Sequence, residues 1–231
     1  MNSDITQWDK YASLYNKGKG ESGDELHNDL IQPTLEKFLP DLDGKKILDA
    51  GCGNGFLEKW LSPKADLVVA VDSSDDLLDY ARNNSKHKNV IFNKSDLTQE
   101  LPFDKQSFDV VVSVMVLQYL PEIKTLASEA GRILKEGGVF IFAIDHPAHA
   151  LYLRAQELVG KKNDKFIDSG SYFDRGLRKK HSLWNKAILQ YYHRTISDYI
   201  NEFSKYLKLD YLEEVSDDGE TPRILLAKFS K

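Results

Sequence analysis

The strongest constraint on this 231-residue chain is a set of five short apolar runs between residues 46 and 144, separated by segments of helical periodicity. They lie at 46–50, 67–71, 90–93, 108–114 and 139–144. Short continuous apolar runs read as strands buried on both faces, and parallel neighbours need a crossover of a dozen or more residues, usually a helix. The intervening segments supply that periodicity: Phe56, Leu57, Trp60 and Leu61, then Leu77, Leu78 and Ala81, then Ile123, Leu126, Ala127, Ala130, Ile133 and Leu134. Gly137 and Gly138 are expected to stop the last of these helices. The pattern predicts an α/β fold with a mostly parallel sheet and helices on both faces.

The flanks follow other rules. Ile5, Trp8, Ala12 and Tyr15 form a helical stripe. A break through Gly18, Gly20 and Gly23 follows, and then a second stripe of Leu26, Leu30, Ile31, Leu35 and Phe38, ended by Pro40 and Gly44. Beyond Pro147 the repeat pauses, and 151–190 reads as irregular, basic and aromatic. A helix is expected at 196–207 and strands at 211–215 and 223–229. The link 216–222 is too short for a crossover helix, so the last pair should be antiparallel.

Composition narrows the partners. With 31 basic and 36 acidic side chains the net charge is −5, which does not favour a phosphate backbone as the default ligand. Cys52 stands alone, so neither an intrachain disulfide nor a cysteine zinc site is expected. No run approaches the roughly 20 apolar residues that span a bilayer, and no signal-type segment opens the chain. A cytoplasmic protein is the expectation.

Chemistry concentrates where the first strand meets its helix. In the sequence from Ile47 to Gly55, glycines at Gly51, Gly53 and Gly55 allow positive φ and let a ligand lie against the backbone. Nicotinamide and flavin enzymes share such a turn, usually as GxGxxG, whereas here the third glycine comes one position early and Asp49 precedes the first by two. Asp72 closes the next strand, where a carboxylate can accept from two ribose hydroxyls. Beside it stand Ser73 and Ser74, the latter also a natural helix N-cap. Asp96 closes the third strand, placed to accept from an adenine amine while Leu97 offers an apolar edge; a turn-forming role is its plainer reading.

The motifs DAGCGNG, VDSS, SDL, FDVVVSVMVLQYL and LKEGGVFIF, in that order, resemble the class I S-adenosylmethionine-dependent methyltransferases, particularly the small-molecule type 11 and ubiquinone-biosynthesis groups. The resemblance covers roughly 46–145, and the closing strand pair extends it to the C-terminus. It implies a Rossmann-like seven-stranded sheet with only the last strand antiparallel. It further implies that Asp49 and the loop Gly51, Gly53 and Gly55 hold the methionine portion of S-adenosylmethionine, and Asp72 its ribose. Asp96 and Leu97 would hold the adenine, with Ser113 and Met115 as the wall near the sulfonium. S-adenosylhomocysteine would be the product. Related enzymes fold an aromatic N-terminal segment over the cofactor, a part that Trp8, Tyr11 and Tyr15 fit, with Tyr15 expected to make contact.

Methyl transfer from a sulfonium is an in-line displacement, so catalysis can be mostly positioning, and a base is needed only if the acceptor must lose a proton. His146, just past the fifth strand, is the candidate base, with His149 near it; Tyr11, His146, Tyr172 and His193 are expected to reach the acceptor. No histidine spacing suggests a metal site. Between Leu151 and Arg194 there are ten basic and four acidic side chains interleaved with aromatics. This segment is expected to be a substrate lid selecting an anionic or aromatic small molecule; the same mixture also suits RNA, and a solvated insertion is the plain reading. The expected organisation is one domain, 1–231, with a helical cap at 1–44, a cofactor-binding core at 45–146, the lid at 147–194 and a closing helix and hairpin at 195–231. A nicotinamide-dependent oxidoreductase is the rival among enzymes, and a catalytically silent binding protein the rival outside them.

Overall fold

A computed structural model describes residues 6–19, 23–149, 151, 170–181 and 187–231. Much of the expected lid, including Tyr152, Lys161, Phe166 and Trp184, lies outside the described residues, as do Ile5 and Gly20.

In chain order the elements are α1 (Thr6–Lys19), a π-helical turn π1 (Leu26–Ile31), α2 (Gln32–Phe38), β1 (Lys46–Ala50), α3 (Glu58–Leu61), β2 (Leu67–Asp72) and α4 (Asp75–Asn84). Then come β3 (Val90–Lys94), β4 (Phe108–Val114), a 3₁₀ turn (Leu117–Tyr119), α5 (Lys124–Ile133), β5 (Leu134–Asp145), β6 (Gly176–His181) and β7 (Ile188–His193). Last are α6 (Ile196–Phe203), β8 (Lys208–Val215) and β9 (Ile224–Ser230).

Seven strands form one sheet in the order β3-β2-β1-β4-β5-β9-β8, with β9 antiparallel to both neighbours and the rest parallel. This is the Rossmann-like methyltransferase sheet that the apolar runs and the resemblance imply. Because strand side chains alternate, each strand feeds two cores. Leu48, Val111, Phe140 and Phe142 pack toward α5 and α6, where Phe140 stacks on Phe203 at 4.6 Å between ring centroids. Ile47, Val110, Val112 and Ile141 pack toward α2 and α3. Both faces are covered, which is why the central strands read as continuous apolar runs.

Three details depart from expectation. Gly137 and Gly138 do not end a helix: the strand already starts at Leu134, and Gly137 takes φ +73° inside it. A Cβ on Gly138 would lie 2.9 Å from the Lys135 carbonyl oxygen, so this pair permits a kink within β5. The helix expected from Phe56 is only Glu58–Leu61. The segment expected to be irregular contains an antiparallel hairpin, β6 with β7, from Gly176 opposite His193 to His181 opposite Ile188. Both strands alternate in burial, but the inward positions of β6 are taken by Arg178 and Lys180, so no apolar periodicity marks that strand.

Candidate active site

The parallel strands end on one side of the sheet, and there the chain encloses a cavity of about 1410 Å³. Its floor is built from successive strand ends: Gly51 and Gly53 after β1, Asp72 and Ser73 at β2, Asp96 and Leu97 after β3, Met115 after β4, and Asp145 and His146 at β5. Trp8 and Tyr15 of α1 and residues of π1 cover one side, and Lys180, Leu189, Tyr191 and His193 of the hairpin close the other.

The three glycines have different jobs. Gly51 has φ +96°, and a Cβ there would sit 2.3 Å from Val116 Cγ2; Gly55 would place one 2.9 Å from the Ala81 Cβ. Both are required by neighbouring side chains, and Gly55 does not line the cavity. Gly53, at φ +55°, faces the cavity under the Tyr15 ring, with the hydroxyl 3.5 Å from where a Cβ would be. Asp72 ties this turn to β2: one carboxylate oxygen accepts from the Gly53 N–H at 2.9 Å and the other from the Ser74 N–H at 2.9 Å. Burial raises its pKa against the pull of those backbone donors. Ser74 caps α4 through the Leu77 N–H and donates to Asp9 of α1 at 2.6 Å.

Asp49 is buried below the loop, near the buried carboxyl of Glu58. Burial raises both pKa values; Asp49 raises Glu58 further by repulsion, whereas the hydrogen bond from Glu58 lowers Asp49 and the Asp72 charge raises it. The Asp49 Oδ1 has no hydrogen-bond partner. Asp96 accepts from the Thr98 N–H at 2.9 Å and its hydroxyl at 2.8 Å through one oxygen, while Leu97 is buried at the cavity wall. Met115, with φ +59°, is held by its N–H to the Ala143 carbonyl at 2.7 Å and lines the cavity.

Other expected residues stand elsewhere. The Ser113 hydroxyl donates to the Ala50 carbonyl at 2.8 Å and does not line the cavity; its position on β4 turns it to the neighbouring strand. Tyr11 reaches the Ile188 carbonyl at 3.4 Å, and the Tyr172 hydroxyl accepts from the Ile196 N–H at 3.1 Å, so both brace the hairpin from outside the cavity. Among the described residues three histidines line the cavity: His146, His149 and His193. His146 accepts the Ala148 N–H on Nδ1 at 3.2 Å, which leaves Nε2 to donate to Glu214 at 2.7 Å. With both nitrogens committed it has no lone pair with which to take a proton, contrary to the role expected of it. Burial lowers its pKa despite Glu214.

Several residues at the site were not singled out from sequence. Tyr119 packs edge-on against Trp8 at 4.8 Å, and Trp8 against Tyr15 at 5.7 Å, giving an aromatic wall over the glycine turn. Lys180 forms a part-buried ion pair with Asp145 and lies 5.3 Å from the Tyr119 ring centroid. Asp24, beside π1, bonds His27 at 2.5 Å and lines the cavity. Tyr119 falls within a quoted motif and was findable as the first aromatic after β4. Lys180 was one basic residue among ten. Among the described residues no cluster of three or more His, Cys, Asp or Glu side chains is arranged to hold a metal ion. No described helix is long and apolar enough to cross a membrane.

A profile of the family described as "Methyltransferase domain" matches residues 48–142, from within β1 to within β5. A Haemophilus influenzae protein with no assigned function is 30% identical over 87% of this chain and 82% of its own length. The demethylmenaquinone methyltransferase of Lactococcus lactis is 33% identical over 69% of this chain and 65% of its own. The chain belongs to the class I S-adenosylmethionine-dependent methyltransferases. A crystal structure of a putative S-adenosylmethionine-dependent methyltransferase from Listeria monocytogenes shares its fold, with a TM-score of 0.69 at 24% identity over 86% of this chain and 96% of that one. This methyltransferase therefore uses S-adenosylmethionine, and its own residues fit that group. Asp24, Asp72 and Asp96 line the half of the cavity around the glycine turn, and Trp8, Tyr15 and Tyr119 face it. Carboxylates and aromatic faces both favour a ligand carrying a sulfonium and an ammonium.

Proposed function

We propose that this enzyme methylates a small-molecule acceptor bound between the glycine turn and the β6–β7 hairpin, within a single methyltransferase domain. The observation that carries this reading is the continuity of one cavity from Gly53 and Asp72 to Lys180 and His193, roofed by α1 and the hairpin. A roofed cavity of this kind suits a compact ligand more than a polymer. The name of the Lactococcus relative, a demethylmenaquinone methyltransferase, supports a small organic acceptor.

Bound S-adenosylmethionine supplies an electrophilic methyl group on a sulfonium. Asp49 and the Gly51 to Gly53 backbone would hold its methionine portion. Each Asp72 oxygen accepts one backbone N–H and keeps a lone pair for a ribose hydroxyl, with Ser73 beside it. Asp96, whose second oxygen is not used by Thr98, and Leu97 would take the adenine. Met115 and Tyr15 would form the wall around the sulfonium. Gly55 lets the turn pack against Ala81 and Phe92, Ser113 ties β4 to the end of β1, and Tyr11 and Tyr172 hold the hairpin that encloses the acceptor. His146 shapes the far wall.

The test is transfer of label from methyl-tritiated S-adenosylmethionine to fractionated cell extract. Label should appear in the low-mass fraction. Label confined to RNA or protein, or transfer to no fraction, would overturn the reading. Calorimetry with S-adenosylhomocysteine and with NAD separates off the oxidoreductase alternative, which requires tight NAD binding.

A further inference from the structure

Hydrogen-bond bookkeeping at the three cavity histidines separates them sharply. A neutral imidazole has one N–H and one lone pair, and whichever nitrogen donates leaves the other to accept. His146 spends its lone pair on the Ala148 N–H and its proton on Glu214. His149 donates from Nδ1 to the Pro222 carbonyl at 3.1 Å and accepts the Arg223 guanidinium on Nε2. Both rings are closed on both sides. His193 donates from Nε2 to the Tyr172 carbonyl at 2.8 Å, which makes it the Nε2–H tautomer, and its Nδ1 has no partner among the described residues.

His193 is also firmly placed. It ends β7 on the same strand face as Leu189 and Tyr191, which line the cavity with it. The next residue, Arg194, donates to the carbonyls of Leu117 at 3.2 Å, Leu120 at 2.7 Å and Pro121 at 2.8 Å. Those carbonyls belong to the segment that follows Met115 and carries Tyr119, so the clamp fixes the end of β7 against the wall nearest the methyl donor. On its other side Thr195 caps α6, with the Thr195 hydroxyl accepting the Asp198 N–H and the Asp198 carboxylate accepting the Thr195 N–H at 2.8 Å.

We propose that His193 is the general base of this methyltransferase, and hence that the acceptor carries a proton on the atom that is methylated. This rests on the small-molecule reading above. As the acceptor atom bonds to the methyl carbon, the carbon–sulfur bond breaks with its electron pair going to sulfur. The acceptor's proton passes to Nδ1 of His193 and later to solvent. The Tyr172 carbonyl steadies the imidazolium through Nε2–H.

Burial lowers the His193 pKa, and Arg178 on β6 and Arg175 push the same way, against the Tyr172 carbonyl and Asp198 of α6. Burial thus favours the neutral ring, whose Nδ1 lone pair the hydrogen-bond geometry leaves available. Among the described residues the charged side chains that act on it are Arg178, Arg175 and Asp198, and the titratable Tyr172 ring lies 5.8 Å away.

Two measurements decide the matter. Diethyl pyrocarbonate acylates imidazole at an open lone pair, so mass spectrometry of full-length protein saturated with S-adenosylhomocysteine should find His193 labelled and His146 and His149 spared. An unlabelled His193, or labelling of all three alike, overturns the proposal without reference to any acceptor. With an acceptor found in the label-transfer experiment, His193→Gln keeps an N–H for the Tyr172 carbonyl but cannot take a proton. It should lower kcat by about 10²–10⁴-fold. S-adenosylhomocysteine affinity should stay within about threefold, and the fall of kcat on acidification below about pH 6.5 should disappear. Wild-type kcat in the variant overturns the base role. Absence of any small-molecule methylation by the wild type would instead strike the small-molecule reading, and the labelling result would still stand.

Discussion

Gly51 and Gly53 lie two residues apart in the same turn, yet substitution should separate them cleanly. Gly51→Ala forces a methyl to 2.3 Å from Val116 at φ +96°, so the cost falls on folding. Denaturant unfolding should show a loss of about 1–3 kcal/mol or more, the usual range for overpacking with added backbone strain. Gly53→Ala meets only ordinary contact with Tyr15 at 3.5 Å and carries the strain of φ +55° alone, about 1 kcal/mol, so it should destabilise less than Gly51→Ala and lower cofactor affinity besides. Equal destabilisation by the two would refute this division. Asp72→Ala removes the acceptor for the proposed ribose hydroxyls and for the Gly53 N–H. Calorimetry with S-adenosylhomocysteine should show binding weaker by about 1–3 kcal/mol, and unchanged affinity in a folded variant would remove Asp72 from the site. At this scale the sequence was legible wherever a strand end fixes both place and direction: Asp72, Asp96 and Met115 all line the cavity. It was illegible where the partner decides the role. The position of Ser113 on β4 did not reveal that its hydroxyl turns to Ala50, and nothing near His146 in the chain announced Glu214, 68 residues away.

Among the elements, the parallel strands were readable because burial on both faces leaves continuous apolar runs, whereas the β6–β7 hairpin was not. Its β6 strand reads Gly176, Leu177, Arg178, Lys179, Lys180 and His181, in which buried Arg178 and part-buried Lys180 stand where apolar residues mark an inward face. Charges satisfied by tertiary partners carry no periodic signal. The hairpin does not stand alone. The Gln7 side chain donates to the Gln190 carbonyl at 3.1 Å and accepts the Gln190 N–H at 3.0 Å, so one residue of α1 continues the β7 edge. On its opposite side α1 is tied to the α4 cap through Asp9 and Ser74. The helix thus links the roof over the glycine turn to the wall of the acceptor half. Gln7→Ala should free the Gln190 amide, which hydrogen exchange can follow: faster exchange around 188–190, with β1 and β4 unaffected, is the expected outcome. Unchanged protection at Gln190 would mean that the edge is covered without Gln7.

For the whole molecule, buried titratable groups tilt stability in opposite directions with pH. The cavity histidines are held neutral: burial lowers all three, and burial with Arg223 takes His149 down to about 4. Between the unfolded value of about 6.5 and the native one, the unfolded chain binds more protons, so these groups withdraw stability as pH falls. At about 1.36 kcal/mol per pH unit, His149 can contribute up to about 3 kcal/mol to that loss. The buried carboxyls Asp49 and Glu58 act in reverse. Their native pKa values are raised, first by burial and then, for Glu58, by Asp49 and, for Asp49, by Asp72, so the native state binds protons at pH values where the unfolded chain does not. The stability they contribute is fully present below their unfolded values near 4 and is lost as pH rises through the native ones. Lys180 and Asp145 leave this range untouched, since their attraction overcomes burial and pushes Lys180 up and Asp145 down. Two single variants should therefore bend the curve of unfolding free energy against pH in opposite senses. His149→Gln should reduce the loss between about pH 6.5 and 4, leaving the shares of His146 and His193, and Glu58→Gln should raise stability at pH 8 and reduce the gain that acidification brings to the share of Asp49. Urea unfolding from pH 4 to 8 measures both. Parallel displacement of either curve, without a change of slope, would show that the substituted group titrates alike in the folded and unfolded chain.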